Sequence, residues 1–270
     1  MDGFIAEYET ALRFSVFAAA FVLFSALEAL FPRRGRLASR TTRWVTNGAM
    51  LALASLLVRG LVLIAPLLAM GAAAALAIEM GWGLFNLIAL PVWLEVVLAI
   101  ILLDFAIWFQ HWATHRIGPL WRLHRVHHAD RDIDASTALR FHPIEIALSA
   151  VWKLLLVMTL GPAIVAAILF EIILNASALF NHANLALPRW LDRTLRTVVV
   201  TPDMHRVHHS TDYEEHNANY GFCLSIWDRL FRTYRAEPGA GHRDMVIGLP
   251  GTGDGPSDRL GWSLTYPFRR

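Results

Sequence analysis

Of the twelve histidines in this 270-residue chain, eight fall into three short groups. His111 and His115 stand four residues apart, while His124, His127 and His128 share one spacing pattern with His205, His208 and His209. On a helix, residues three and four apart lie on one face. Each group can therefore aim imidazoles at a common centre, and His127, beside His128, can offer a ligand toward a neighbouring one. Neutral imidazole suits iron, copper, zinc and nickel. One ion of about four to six coordination cannot use eight rings, whereas two ions can, with positions left for water or oxygen. A dinuclear centre is the economical reading. Asp104, seven residues before His111, shares its helix face. It could fix the tautomer of a ligating imidazole, as carboxylates beside metal sites do, or serve only as a charge near the helix end.

The elements that must position these groups are apolar. Hydrophobic residues make up 56% of the chain and charged ones 17%, with a mean hydropathy of +0.43, the composition of a bilayer protein. Three stretches have the roughly 20 apolar residues a spanning helix needs: Ala11 to Phe31, Val45 to Ala69 and Leu84 to Phe109. The first follows Asp2, Glu7 and Glu9 instead of a basic leader, and Leu30-Phe31-Pro32 is a poor cleavage site, so this run is expected to be retained. Arg33, Arg34, Arg36, Arg40 and Arg43 follow it, whereas Met70 to Gly83 carries only Glu79. The positive-inside rule then makes the arginine-rich loop cytoplasmic and the Glu79 segment an outer loop. The third helix brings His111 back to the cytoplasmic side.

A further apolar region, Ile144 to Asn181, breaks at Gly161-Pro162 into two arms and predicts a helical hairpin that returns the second His-Arg-Val-His-His to face the first. Lys153 and Glu171 lie at similar depth in such a hairpin and are expected to pair; Arg59 and Glu95 are expected to form a second buried pair. The fold class is all-α: a polytopic helical bundle with a cytoplasmic helical cap carrying the histidines. It divides into N-terminal helices (1–83), a catalytic region (84–237) and a short tail (238–270), as one body. Trp44, Trp82 and Trp190 are expected to anchor the interface, and Trp108 and Trp112 to pack in the core. The arginines lack the aromatic interleaving of a nucleic-acid module, so nucleic acid is not an expected partner. A single cysteine, Cys223, can build neither an internal disulfide nor an iron–sulfur cluster.

Together His111-x3-His115, His124-x2-His127-His128 and His205-x2-His208-His209 resemble the eight-histidine signature of the fatty acid hydroxylase/sterol desaturase superfamily. The resemblance extends to Pro119-Leu120-Trp121-Arg122-Leu123, to Ser136 through Glu145, to Asn219-Tyr220-Gly221 and to Trp227-Asp228-Arg229-Leu230-Phe231. It covers about Phe85 to Tyr234 and, more weakly, Ile247-Gly248-Leu249-Pro250. The first two helices carry no specific signature.

That resemblance implies two iron ions, O2 as cosubstrate and an external reductant, used to hydroxylate or desaturate a lipid drawn from the bilayer. It also implies a further ligand at His182, while His142, in a His-Pro pair, reads either as a ligand or as the start of the hairpin helix. Asn219 and Tyr220 are expected to orient the third histidine group, with a packing role equally open for Tyr220. His216 is expected to be an exposed loop residue and His242 to face solvent. The sequence holds no dinucleotide fingerprint and no iron–sulfur cysteine set. Electrons are therefore expected from a separate protein, ferredoxin or cytochrome-like, docking on the arginine-rich side. The preference for Arg over Lys, with abundant Ala, points to a bacterial inner membrane. Two other classes stay open: a histidine-rich metal transporter, whose site belongs near the midplane, and a membrane metallohydrolase, for which no His-Glu-x-x-His motif is present.

Overall fold

In hydrocarbon every backbone N–H and C=O must be satisfied within the segment, so apolar runs of this kind fold as helices. The computed structural model describes residues 8–252 and 256–269, and its regular elements are helical, with only isolated bridges between extended residues. Asp2 and Glu7 lie outside the described residues. The helices are α1 (Glu9–Leu30), α2 (Arg40–Ile64), α3 (Met70–Met80), α4 (Leu84–Leu87), α5 (Val92–Arg116), α6 (Gly118–His128), α7 (Pro143–Leu160) and α8 (Ile164–His182). Shorter ones follow: α9 (Arg189–Leu195), α10 (Pro202–His208), α11 (Tyr213–His216), α12 (Ile226–Leu230), α13 (Gly241–Asp244) and α14 (Leu260–Thr265). Six stretches among the described residues are long and apolar enough to cross a bilayer: α1, α2, Met70–Leu87, α5, α7 and α8. The chain is an integral membrane protein.

Both arms of the expected hairpin are present, turning at Gly161 in the left-handed conformation (φ 60°). The expected outer loop is instead structured. Met70 to Met80 forms α3, whose Met70, Ala73, Ala74 and Ala77 are buried and which packs against α7 and α8. Its small side chains permit that close approach. At about 16 Å long, α3 is too short to cross alone, and Gly81 ends it. Gly83 (φ 94°) then runs against the hairpin turn, where an added Cβ would stand 2.3 Å from Gly161 N.

Contacts at the other end of the bundle gather the histidine-bearing ends of α5 and α8 with the end of α1 and the start of α2. Glu28 near the end of α1 accepts from the backbone N–H groups of Ala135 (2.9 Å) and Asn184 (3.1 Å). Arg43 near the start of α2 binds Asp130 (2.6 and 2.8 Å) and Asp134 (2.7 Å), just beyond α6. Arg43 and Arg140 hold the buried Asp130 carboxyl down to about 2 against the upward push of burial. Described residues near the C-terminal end are bonded to the rest: Arg122 donates to Pro267 O (2.7 Å), Arg125 to Tyr266 O (2.6 Å) and Arg140 to Ser263 Oγ (2.9 Å).

Of the two expected charge pairs one is formed. Lys153 donates to Glu171 Oε1, and Arg13 from α1 joins them at 2.7 Å from Glu171 Oε2. The other is absent: Glu95 instead accepts from Ala163 N (2.6 Å) ahead of α8, and Arg59 is exposed. Equal depth does not bring two faces together. Trp108 packs in the core against Phe231 (ring centroids 4.5 Å), while Trp82 and Trp190 are exposed as anchors would be.

Removing one member of a buried ion pair leaves the other charge uncompensated, at a cost of about 3 kcal/mol or more. Glu171→Leu strands two cations, both partly accessible, so a loss near that lower figure is expected, read as a drop in the melting temperature of the detergent-solubilised protein. Adding Lys153→Met should restore part of it; no change in either variant would remove the pair from the packing account.

Candidate metal centre

The local sequence explains why the three groups lie on helices. His111 and His115 prolong the apolar helix α5 past its membrane-length core. Pro119 opens α6, and the helix carries His124, His127 and His128 in its last turns. Thr201 caps α10 by accepting from Met204 N (3.4 Å), with Pro202 in the first turn, where a missing N–H costs nothing. His209 terminates that helix as its C-cap. His182 is the last residue of α8.

These elements converge the nine histidines into two sets. One contains His111, His115, His124, His128 and His208; the other contains His127, His182, His205 and His209. Within each set the candidate ligand nitrogens lie within 4.8 Å of one another. The second group splits between the sets, as the adjacency of His127 and His128 required. The third splits likewise. The sets abut, with the His128 and His209 rings stacked at 4.7 Å.

Tautomers follow from the outer hydrogen bonds. His111 Nδ1 lies 2.7 Å from Tyr220 O, and His208 Nδ1 lies 2.7 Å from Ala218 O. A carbonyl only accepts, so each Nδ1 carries the proton and each Nε2 a lone pair. His124 Nδ1 meets Glu145 Oε1 at 2.6 Å, with the same consequence, and in the other set His182 Nδ1 donates to Ala178 O at 2.7 Å. Yet in the five-histidine set these Nε2 lone pairs face one another, His208 to His111 at 3.0 Å and His111 to His124 at 3.1 Å, and in the other set the His182 lone pair meets the Nε2 of His205 at 3.1 Å, a ring whose Nδ1 has no outer partner. Facing lone pairs repel unless a cation lies among them. Nitrogens about 2.1 Å from a shared ion and at right angles stand ~3.0 Å apart, which matches these spacings. The residues present therefore fit two metal ions, held by neutral nitrogen donors. Burial together with the neighbouring imidazoles holds His127, His128, His205, His208 and His209 well below the ordinary histidine range, so they are neutral near pH 7.

Several expected roles come out differently. Asp104 reaches no imidazole; it accepts from Cys223 N (3.3 Å), Leu224 N (3.1 Å) and Trp227 Nε1 (2.8 Å), securing the segment after the third group. The carboxylate that does orient a ring is Glu145, which lies on α7. Its signal was present, since it stands three residues after His142, but only tertiary packing brings it to His124. His142 belongs to neither set: its Nδ1 accepts from Ile144 N (3.3 Å) as the cap of α7, and its Nε2 faces Leu264 O (3.3 Å). His216 is not an exposed loop residue. It is 9% exposed, with its ring 4.7 Å from those of His128 and Trp121 and its Nδ1 buried without a partner. His242 does not face solvent either; it is 4% exposed and pairs with Glu237 at 2.9 Å. Asn219, at φ 54°, donates to Met204 O and Arg235 O (both 2.8 Å), which ties α10 to the strand of chain that carries the Ala218 and Tyr220 carbonyls.

The fold and site define an all-helical membrane bundle whose buried histidines gather at one end in two sets, each of which could hold a metal ion. Residues 96–233 match the family model described as fatty acid hydroxylase, and the chain belongs to that family. It is 28% identical over 178 residues to human alkylglycerol monooxygenase, covering 62% of this chain and 36% of that protein. It is 29% identical over 159 residues to the ornithine lipid hydroxylase OlsE of Rhizobium tropici, covering 58% of this chain and 46% of the relative. The alkylglycerol monooxygenase of Caenorhabditis elegans is 32% identical over 139 residues, half of this chain and 26% of the relative. The chain thus matches less than half the length of these relatives. No solved structure matches it.

Two measurements test this geometry. Glu145→Gln removes the charge behind His124 and should weaken metal binding about 10- to 100-fold, read by competition with a chelator; unchanged affinity would remove Glu145 from the site. Acid should also loosen the metal-free protein. His216 and His242 are held down at about 4, burial being the chief cause, whereas the unfolded chain titrates near ~6.5. Between these values the unfolded state binds more protons, so stability is full above the upper value and falls as pH drops toward the lower. A melting temperature flat from neutral pH to pH ~4.5 would contradict that sign.

Proposed function

We propose that this protein is a non-haem di-iron lipid hydroxylase, taking a membrane lipid, O2 and two externally supplied electrons with two protons, and yielding the hydroxylated lipid and water. The observation that carries the reading is the pair of buried imidazole sets, in a chain of the fatty acid hydroxylase family. Two irons there would supply the reductive activation of O2 that oxidation of an unactivated C–H bond requires. His111, His115, His124, His128 and His208 would hold one ion, and His127, His182, His205 and His209 the other. Hydroxylation is favoured over desaturation because the relatives named above are monooxygenases and hydroxylases of lipids.

The chain's own groups prepare that chemistry. The Tyr220, Ala218 and Ala178 carbonyls and Glu145 hold protons at Nδ1 of His111, His208, His182 and His124 and so keep each Nε2 free. Phe222 lies 5.0 Å from the His111 ring and 6.1 Å from the His205 ring, and it also packs against the core cluster that includes Leu103, Ile107 and Phe170. It therefore forms an apolar wall beside both sets, which helps to keep bulk water from them. Asn219 and Asp104 act at one remove, fixing the backbone around the third histidine group.

Topology supports a cytoplasmic position for the histidine end, since the arginine-rich loop after α1 lies there. A bacterial inner membrane fits the composition. The electron donor is proposed to be a separate ferredoxin or cytochrome-like protein. A metal transporter is less well supported, because the histidine sets sit at one end of the bundle and not near the middle of the spans.

The test combines metal analysis with labelled oxygen. Purified protein should hold about two irons per chain, and lipids from cells carrying the gene should gain one oxygen atom from 18O2. Loss of two hydrogens without oxygen would make the enzyme a desaturase, and stoichiometric zinc with hydrolytic activity would sink the oxygenase reading. His127→Ala and His208→Ala should each abolish product and lower bound metal while the protein still inserts in the membrane.

A further inference from the structure

Immediately after α1, residues Pro32, Arg33, Arg34, Gly35 and Arg36 line a pocket of about 480 Å³ together with Arg243 from α13. Four guanidinium groups thus meet where an apolar spanning helix ends. Their charge is only partly answered. Arg33 pairs with Asp203 at 3.0 Å, but Asp203 also serves the fully buried Arg206. Arg36 is 3.9 Å from Glu28, a carboxylate it shares with Arg40. Arg34 donates from Nη1 to Met245 O (2.8 Å), while its Nε is buried without a partner. Asp132 and Asp244 act on Arg34 only at a distance, and Arg243 is exposed.

Burial pulls Arg34 below its ordinary value, and it does the same to Arg206, where Arg33 and Arg34 add repulsion. The cluster is short of negative charge. Around it the surface is apolar: Leu30, Phe31 and Leu37 are exposed, Leu37 to 76%. A ligand that suits both features carries an anionic group for the arginines and hydrocarbon for the rim.

We propose that this pocket is a headgroup site for an anionic phospholipid, its phosphate seated among Arg34, Arg36 and Arg243 and its acyl chains lying along Leu30 and Phe31. Basic pockets beside spanning helices recognise lipid phosphates in this way. The site also touches the histidine sets. Arg33 N donates to Asn184 O (2.9 Å) and Asn184 Nδ2 to Arg34 O (2.9 Å), two residues beyond His182. Asp203, bound by Arg33, lies two residues before His205. The pocket wall is thus bonded to the segments that carry two members of the four-histidine set. This inference is independent of the reaction proposed above.

The test is native mass spectrometry of the full-length protein released from nanodiscs of phosphatidylglycerol or phosphatidylcholine. The wild type should retain phosphatidylglycerol preferentially. Arg243→Gln and Arg36→Gln each remove a charge without touching a histidine, and each should weaken retention about five-fold, less so at high salt. Equal retention of both lipids, or phosphatidylglycerol retention unchanged in the double variant, would overturn the site. Displacement by inorganic phosphate at concentrations matching the lipid would assign it to a free anion and overturn the lipid assignment. Loss of salt-sensitive binding to an acidic ferredoxin, with lipid retention intact, would assign the surface to a protein instead.

Discussion

Facing lone pairs are the constraint on which this molecule turns. Carbonyl oxygens of Tyr220, Ala218 and Ala178 and the carboxylate of Glu145 claim the Nδ1 protons, and that choice aims bare nitrogens at one another across about 3 Å. Among His208, His111 and His124 no rearrangement of protons relieves the repulsion, because each outer acceptor would then lose its donor. The arrangement makes sense around cations. The tightly bonded surroundings of Arg43, Asp130 and Asp134 keep the helices from drifting apart when the cations are missing.

The histidines were legible because helical geometry converts a spacing of three or four residues into a shared face wherever the helix goes. Their division into five and four could be anticipated only in outline, from His127 beside His128. The hairpin was equally legible, since Gly161-Pro162 interrupts an apolar run and nothing else in the chain does so there. Family resemblance, and not spacing, pointed to His182.

What could not be read depends on which faces meet. Glu145 and Asp104 are both acids near histidine groups in sequence, and only packing decides that the first orients a ring while the second binds backbone near Cys223. Arg59 and Glu95 match in depth but not in direction. His216 and His242 sit in polar stretches that look solvated, yet each is covered by neighbouring segments of the chain. Met70 to Met80 carried an alanine-rich composition fit for close helix packing, obscured by its position between two longer apolar runs.

The histidine sets draw on residues far apart along the chain. His111 and His115 emerge early, His182 closes the hairpin, and His209 is made last of the nine. During synthesis the spanning helices are thus complete before either set is, and the last ligands arrive only after the hairpin has returned. Capture of the proposed metal ions would then fall at the end of assembly. It would tie together segments far apart along the chain, closing loops that otherwise cost entropy to hold, so a chain starved of metal would be a correctly inserted protein whose helices already stand around an unfilled centre.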